Sequence, residues 1–214
     1  QQHVDRVESR FFERIQFDLA ELDISRTHLE ELLRIECGRY DMDWRISYSN
    51  ERHRVAIFVS KIENCLWDLL IRHRLGELPC DIALIVSNHA DLEQVAQQFG
   101  VPYHVFPITK QTKRVQEDAE CALLEDADVD VIVLARYMQV LSDEFIERYP
   151  QQILNIHHSF LPAFVGSRPY QQAYERGVKN IGATAHYATS ELDEGPILAQ
   201  DVVACSHRDT VDDL

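Results

Sequence analysis

The sequence predicts an α/β protein: a doubly wound, mostly parallel sheet preceded by a small α+β segment. Three observations predict it. From Arg54 onward, short apolar runs rich in Val and Ile alternate with amphipathic stretches, the rhythm of strands buried on both faces and the helices that cover them. The opening residues lack that rhythm and mix one helical pattern with half-buried strands. The last two apolar runs are joined by a turn-rich connection instead of a helix, which suits an antiparallel hairpin at one edge of the sheet.

In chain order, RFFERIQFD (residues 10–18) alternates apolar and polar residues like a half-buried strand. A helical pattern covers residues 25–39, with Ser25 or Thr27 available as N-cap, and a short strand is expected over 44–48. This β-α-β piece is too small and one-sided to make a domain by itself. Asn50, Glu51 and Arg52 read as a linker, so the domains are expected at 1–50 and 54–214. Strands follow at VAIFVS (55–60), IALIVS (82–87), a weak YHVF (103–106), VDVIVLA (129–135) and QILNIH (152–157). Helices are expected at about 62–75, 90–99, 110–126, 142–149 and 168–177. IGATAHYAT (181–189) and ILAQDVVAC (197–205) form the hairpin strands, and SHRDTVDDL (206–214) has the look of a capped helix start.

With 214 residues and 45% hydrophobic content the chain can bury a substantial core. No stretch approaches the roughly 20 apolar residues that cross a bilayer, so a cytoplasmic protein is expected. The 21 basic and 36 acidic residues leave a net charge of −15, with the basic residues dispersed, which disfavours nucleic-acid binding. The five cysteines are irregularly spaced with no C-x-x-C pair and are expected reduced and mostly buried. Cys65 and Cys121 fall among apolar neighbours in helical patterns, as small core fillers do.

In doubly wound sheets, ligands bind beyond the carboxyl ends of the strands. The 152–157 strand ends there with Asn155, Ile156, His157, His158 and Ser159. Alternation puts Asn155 and His157 on one side, where two donors can bind a developing oxyanion or simply satisfy loop backbone. The hairpin adds His186, and Asp193 in the turn 190–196, where an acid is commonly only a turn former. The hairpin can nevertheless fold Asp193 toward His157, and an Asp beside a His orients it in many hydrolytic sites. His157, His158 and His186 suggest zinc at first sight. Consecutive histidines on an extended strand point to opposite faces, so no metal site is expected.

The runs NIHHSFLPAFVGSRPYQQAYERGV (155–178) and GATAHYATSELDEGPILAQDV (182–202) resemble the formyltransferase fold of folate enzymes, and within it the formyltetrahydrofolate deformylase family. VSKIENCLWDLL (59–70), LPCDIALIVSNH (78–89) and VLARYMQVLSDEF (133–145) are similar to that family's pattern in the same order. The first 50 residues resemble the latter part of an ACT domain, a ferredoxin-like βαββαβ regulatory module. Its first strand and helix are absent here, so the chain is expected to be a fragment. The resemblance implies hydrolysis of 10-formyltetrahydrofolate to tetrahydrofolate and formate, with the folate as substrate and no further cofactor. It also implies a homo-oligomer through the ACT segments, with a small amino acid as possible effector.

Carried onto this sequence, the resemblance makes Asn155 and His157 donors to the formyl oxygen and Asp193 the holder of the attacking water. It places His186 behind Asp193. The pterin is expected along Arg136, Tyr137, Met138, Gln139, Val140 and Leu141, beside His158 and the loop that Ala188 begins, although a Met-and-Leu run after a strand also reads as simple core. Glycinamide ribonucleotide formyltransferases resemble one another in a glycine-rich phosphate loop after the first strand. Here Ser60 to Cys65 contains no glycine, which favours water over a phosphorylated amine as acceptor. The second histidine, His158, belongs to the deformylase form of the motif, and Asn64 departs from it where the family typically has histidine. A formyltransferase acting on an amine, or an inactive folate or amino-acid sensor, are the competing readings.

Overall fold

The computed structural model describes residues 1–164, 166 and 168–213, in two units, Gln1–Glu51 and Arg52–Leu214. In the first unit, β1 (Gln2–Asp5) pairs antiparallel with β2 (Arg10–Glu13). Asp5 Oδ1 accepts from the N–H groups of Val7 and Glu8 and so turns the chain between them. The helix α1 (Arg26–Arg39) begins as expected, with Ser25 Oγ accepting from the His28 N–H. The strand expected over 10–18 stops at Glu13, because β1 presents only four residues to pair with it. The strand expected over 44–48 does not form. Tyr48 instead donates to Glu30 Oε1 at 2.6 Å and lies 4.1 Å from the Arg26 guanidinium, so side chains tie the stretch back to α1. The unit is a hairpin followed by a helix, not β-α-β.

The second unit follows the predicted alternation. Its elements are β3 (His53–Val59), α2 (Asn64–Arg74), β4 (Cys80–Ser87), α3 (Glu93–Phe99), β5 (Tyr103–Val105), α4 (Lys113–Asp126) and β6 (Val131–Leu134). Then come α5 (Asp143–Arg148), β7 (Ile153–His157), α6 (Pro169–Arg176), β8 (Asn180–Tyr187) and β9 (Ile197–Ala204). One sheet has the order β5-β4-β3-β6-β7-β8-β9, parallel as far as β7 and antiparallel through β8 and β9.

The alternation of β3 divides the core. Ala56 and Phe58 pack with Leu124, Tyr137 and Phe145 on the α4–α5 face. Val55, Ile57 and Val59 pack with Leu66, Leu70 and Val95 on the α2–α3 face. Each large side chain removed from water here contributes about 1.5–3 kcal/mol, which is why the strands buried on both faces read so clearly in the sequence. The direction in which strands are added to the sheet reverses between the parallel neighbours β3 and β6, since β4 lies on one side of that pair and β7 on the other. The carboxyl ends of β3, β6 and β7 therefore open onto one crevice.

Helices start later than their periodicity suggests. Thr109 and Thr112 exchange backbone-to-hydroxyl hydrogen bonds, at 2.9 and 3.2 Å, so residues 110–112 belong to a turn and α4 begins at Lys113. Residues 206–213 form turns held by Asp209 and Asp213, not the expected helix start, and Leu214 lies outside the described residues. Of the cysteines only Cys121 is buried; Cys37, Cys65, Cys80 and Cys205 are half-buried, which corrects the expectation that most are buried.

Candidate active site

Strands β7 and β8 build the floor. They pair with Asn155 opposite His186 and His157 opposite Thr184, so the side chains of Asn155, His157 and His186 share one face. Ile156 points the other way and is partly exposed. His157 and His186 are buried.

The loop between β8 and β9 brings the acid. Tyr187 N–H donates to the Pro196 carbonyl at 3.0 Å, closing residues 188–195 into a tight excursion. Only glycine fits Gly195, because a Cβ there would overlap the Tyr187 carbonyl. Asp193 takes a left-handed backbone at φ 60°, a conformation that Asp tolerates better than most residues. Its carboxylate is 5% exposed and lies 3.3 Å from His157 Nδ1. The same oxygen accepts from the Gly166 N–H at 3.3 Å.

Each histidine has a defined second contact. His157 Nε2 lies 3.2 Å from the Phe164 carbonyl, so both ring nitrogens face oxygen acceptors. His186 Nδ1 lies 2.9 Å from the Tyr187 carbonyl, which can only accept, so Nδ1 carries the hydrogen. Nε2 is then an acceptor for the Asn155 amide at 3.2 Å. Its distance to Asp193 is 3.8 Å, too long for a hydrogen bond. The structure thus places His186 against Asn155 more closely than against Asp193, because the β7–β8 register makes Asn155 its direct opposite.

His158 turns to the other side and meets the Arg136 guanidinium. A guanidinium only donates, so His158 Nε2 accepts. Burial, then the positive charge of Arg136, hold the His158 pKa down to about 4. Arg136 itself is left-handed at φ 61°, and its Nε is buried with no partner among the described residues.

The expected pterin segment divides. Tyr137 and Leu141 are 7% exposed and belong to the α4–α5 core, so their side chains are turned away from the crevice. Met138 and Val140 are exposed, and Gln139 Nε2 donates back to the Met138 carbonyl. Ala188 is half-buried against the same core, with its N–H occupied by the Ile153 carbonyl. An open cavity of about 660 Å³ lined by Pro162, Ala163, Phe164, Gln172, Glu175 and Arg176 adjoins the site through Phe164.

Sequence reasoning missed the groups that hold the crevice open. Ser60 Oγ donates to Asn88 Oδ1 at 2.7 Å and accepts from the Met138 N–H at 3.0 Å, joining the ends of β3, β4 and β6. Thr184 Oγ1 donates to the Ser159 carbonyl at 2.7 Å and accepts from the Leu161 N–H at 3.0 Å. Position alone, at the carboxyl end of a strand beside the switch point, was the available signal for Ser60 and Asn88.

Residues 53–214 match the family model described as Formyl transferase. The chain belongs to the formyl transferase family. It is 51% identical over 213 residues to a formyltetrahydrofolate deformylase of Synechocystis sp., covering all of this chain and 75% of that protein. The crystal structure of a formyltetrahydrofolate deformylase from Pseudomonas syringae superposes with a TM-score of 0.94 at 42% identity, over all of this chain and 72% of the other. A phosphoribosylglycinamide formyltransferase from Anaplasma phagocytophilum shares the fold at a TM-score of 0.70 and 32% identity, over 76% of this chain and 77% of the other. The α/β fold with its mostly parallel sheet is that of this family.

Proposed function

We propose that this chain hydrolyses 10-formyltetrahydrofolate to tetrahydrofolate and formate. The observation that carries the reading is the convergence of Asn155, His157 and Asp193 at the carboxyl end of β7, in a chain similar over its whole length to formyltetrahydrofolate deformylases. The formyl oxygen takes the place of the Phe164 carbonyl at His157 Nε2 and receives a second hydrogen bond from the Asn155 amide, which His186 orients. A water held by Asp193 adds to the formyl carbon, and its proton passes to the Asp193–His157 pair. The proton is then delivered to the folate nitrogen as the C–N bond breaks, leaving formate and tetrahydrofolate. The chain's own side chains supply every proton transfer in this scheme.

The pterin is proposed to lie along Arg136 to Leu141, read by backbone groups, since the Tyr137 and Leu141 side chains are occupied in the core. Residues 1–50 are proposed to be the ACT-type regulatory part, through which chains pair and a small amino acid acts. The hairpin followed by a helix in Gln1–Glu51 has the element order that the latter part of such a module would have. Among the described residues no helix is long and apolar enough to cross a membrane, in keeping with a cytoplasmic enzyme.

Asp193→Asn tests the assignment. Formate release should fall by at least about 10²-fold, the scale of a positioned acid–base group, while folate binding measured by calorimetry persists. Normal turnover with lost binding would refute the role given to Asp193.

A further inference from the structure

The buried face of α4 carries two carboxyl groups that the reaction does not use. Glu117 is 5% exposed and Glu120 is fully buried, one helical turn apart and beside Cys121 and Leu124. Burying a carboxyl is costly unless it is paired or hydrogen-bonded, so two together on a core-facing stripe call for a reason. Both point at the same segment. The Tyr137 hydroxyl donates to Glu120 Oε1 at 3.4 Å, and the Ser142 N–H donates to Glu117 Oε1 at 3.0 Å. Tyr137 opens the loop that ends at Ser142, the N-cap of α5. The hydroxyl of Ser60 holds Met138 between them.

We propose that Glu117 and Glu120 are positioning residues for folate binding: from behind, they fix the two ends of the 137–142 loop whose backbone reads the pterin. This rests on the deformylase reading for the ligand, not for the loop. Glu117 has Lys113 at 3.8 Å to balance its charge. Glu120 has no cation, and its Oε2 is buried without a partner among the described residues. The groups around it are Glu117 on its own helix and Tyr137 on the loop. Arg114, Asp118, Glu144 and Arg148 pair with one another on the solvent side of α4 and α5. Burial, with the Glu117 charge adding to it, pushes Glu120 up to about 8. Burial and the same two carboxyls raise the Tyr137 hydroxyl as well, so it remains a donor.

In the ordered loop Glu120 keeps its proton up to about pH 8. An opened loop lets water reach the carboxyl, which then gives up the proton at a lower pH, nearer its ordinary value of 4.5. The ordered arrangement therefore loses stability as pH rises toward 8 and loses no more above it, so substrate affinity falls on the approach to pH 8.

The experiment measures KM and kcat for formate release from pH 6 to 9.5, together with hydrogen exchange of the 137–142 amides in the ligand-free protein. For the wild type, KM should rise roughly threefold or more between about pH 6 and about pH 8 and level off above that, with kcat much less affected, and the protection of the loop amides, corrected for the intrinsic base-catalysed rate, should fall over the same range. Glu120→Gln keeps an acceptor for Tyr137 but cannot ionise, so it should hold KM low across the range. Glu120→Leu and Tyr137→Phe should raise KM and loop exchange already at pH 7. A Glu120→Gln profile that keeps the wild-type rise, or effects confined to kcat, would overturn the proposal, as would unaltered KM and exchange in Tyr137→Phe. If the wild type releases no formate, the deformylase reading fails, and the exchange data still decide whether Glu120 orders the loop.

Discussion

Asp193 is held by contacts from two other parts of the chain, His157 on β7 and the Gly166 N–H in the loop that follows it, at 3.3 Å each. That arrangement fixes the carboxylate where a water can be deprotonated and leaves it little freedom. Asn155 differs in kind: its amide is oriented by His186, and the proposed mechanism has it act on charge that develops only in the transition state. Asn155→Ala should therefore lower kcat by about 2.7–4 kcal/mol in the barrier with a modest change in KM. A change confined to KM in steady-state kinetics would make Asn155 a ground-state binding group instead. His158 gives a separate expectation for stability. Its pKa lies at about 4 in the folded protein against 6.5 for the unperturbed group, so the unfolded chain binds the proton first. Stability is retained above pH 6.5 and is lost as pH falls toward 4. Denaturant unfolding of His158→Gln across that window should show a flatter acid limb than the wild type. Identical limbs would mean that His158 does not titrate as its surroundings demand. Alternation along β7 placed Asn155 and His157 on one face from the sequence alone. The His186–Asn155 contact was not legible, since it depends on cross-strand register.

At the scale of elements, the β8–β9 connection decides whether the site exists. Residues 188–195 return on themselves only because Gly195 admits the Tyr187 carbonyl. Gly195→Ala must displace that backbone and carry Asp193 away from His157. Turnover should fall by about 10²-fold or more, the scale of a lost acid–base group, while the melting temperature drops only a few degrees. Wild-type turnover in this variant would show that the turn does not set the position of Asp193. A turn rich in acids, glycine and proline was readable as a hairpin connection, but the inward aim of one of its acids was not. The strand expected over 44–48 failed for a related reason: a strand needs a partner, and local alternation cannot say whether one is near. Glu120 was hidden because a glutamate in an amphipathic helix reads as solvent-facing.

For the chain as a whole, the doubly wound fold was legible because a parallel sheet covered on both faces writes its strands as continuous apolar runs, as β3 and β4 do. Topology then fixes where chemistry can occur. The reversal between β3 and β6 opens the crevice, β7 delivers Asn155 and His157 to it, and the antiparallel β8–β9 hairpin returns Asp193 to the same mouth. The net charge of −15 does nothing to recruit an anionic folate, so the proposed recognition is local and draws on the Arg136–His158 pair. The absence of glycine from Ser60 to Cys65 distinguishes this crevice from one built to cradle an acceptor's phosphate. The central claim is that water, not an amine, accepts the formyl group. Formate release from 10-formyltetrahydrofolate, followed with and without an added amine acceptor and with Asp193→Asn as control, tests it most directly. Formate that appears without any acceptor and vanishes in the control is the expected result; a formyl group recovered only on the amine would contradict the account.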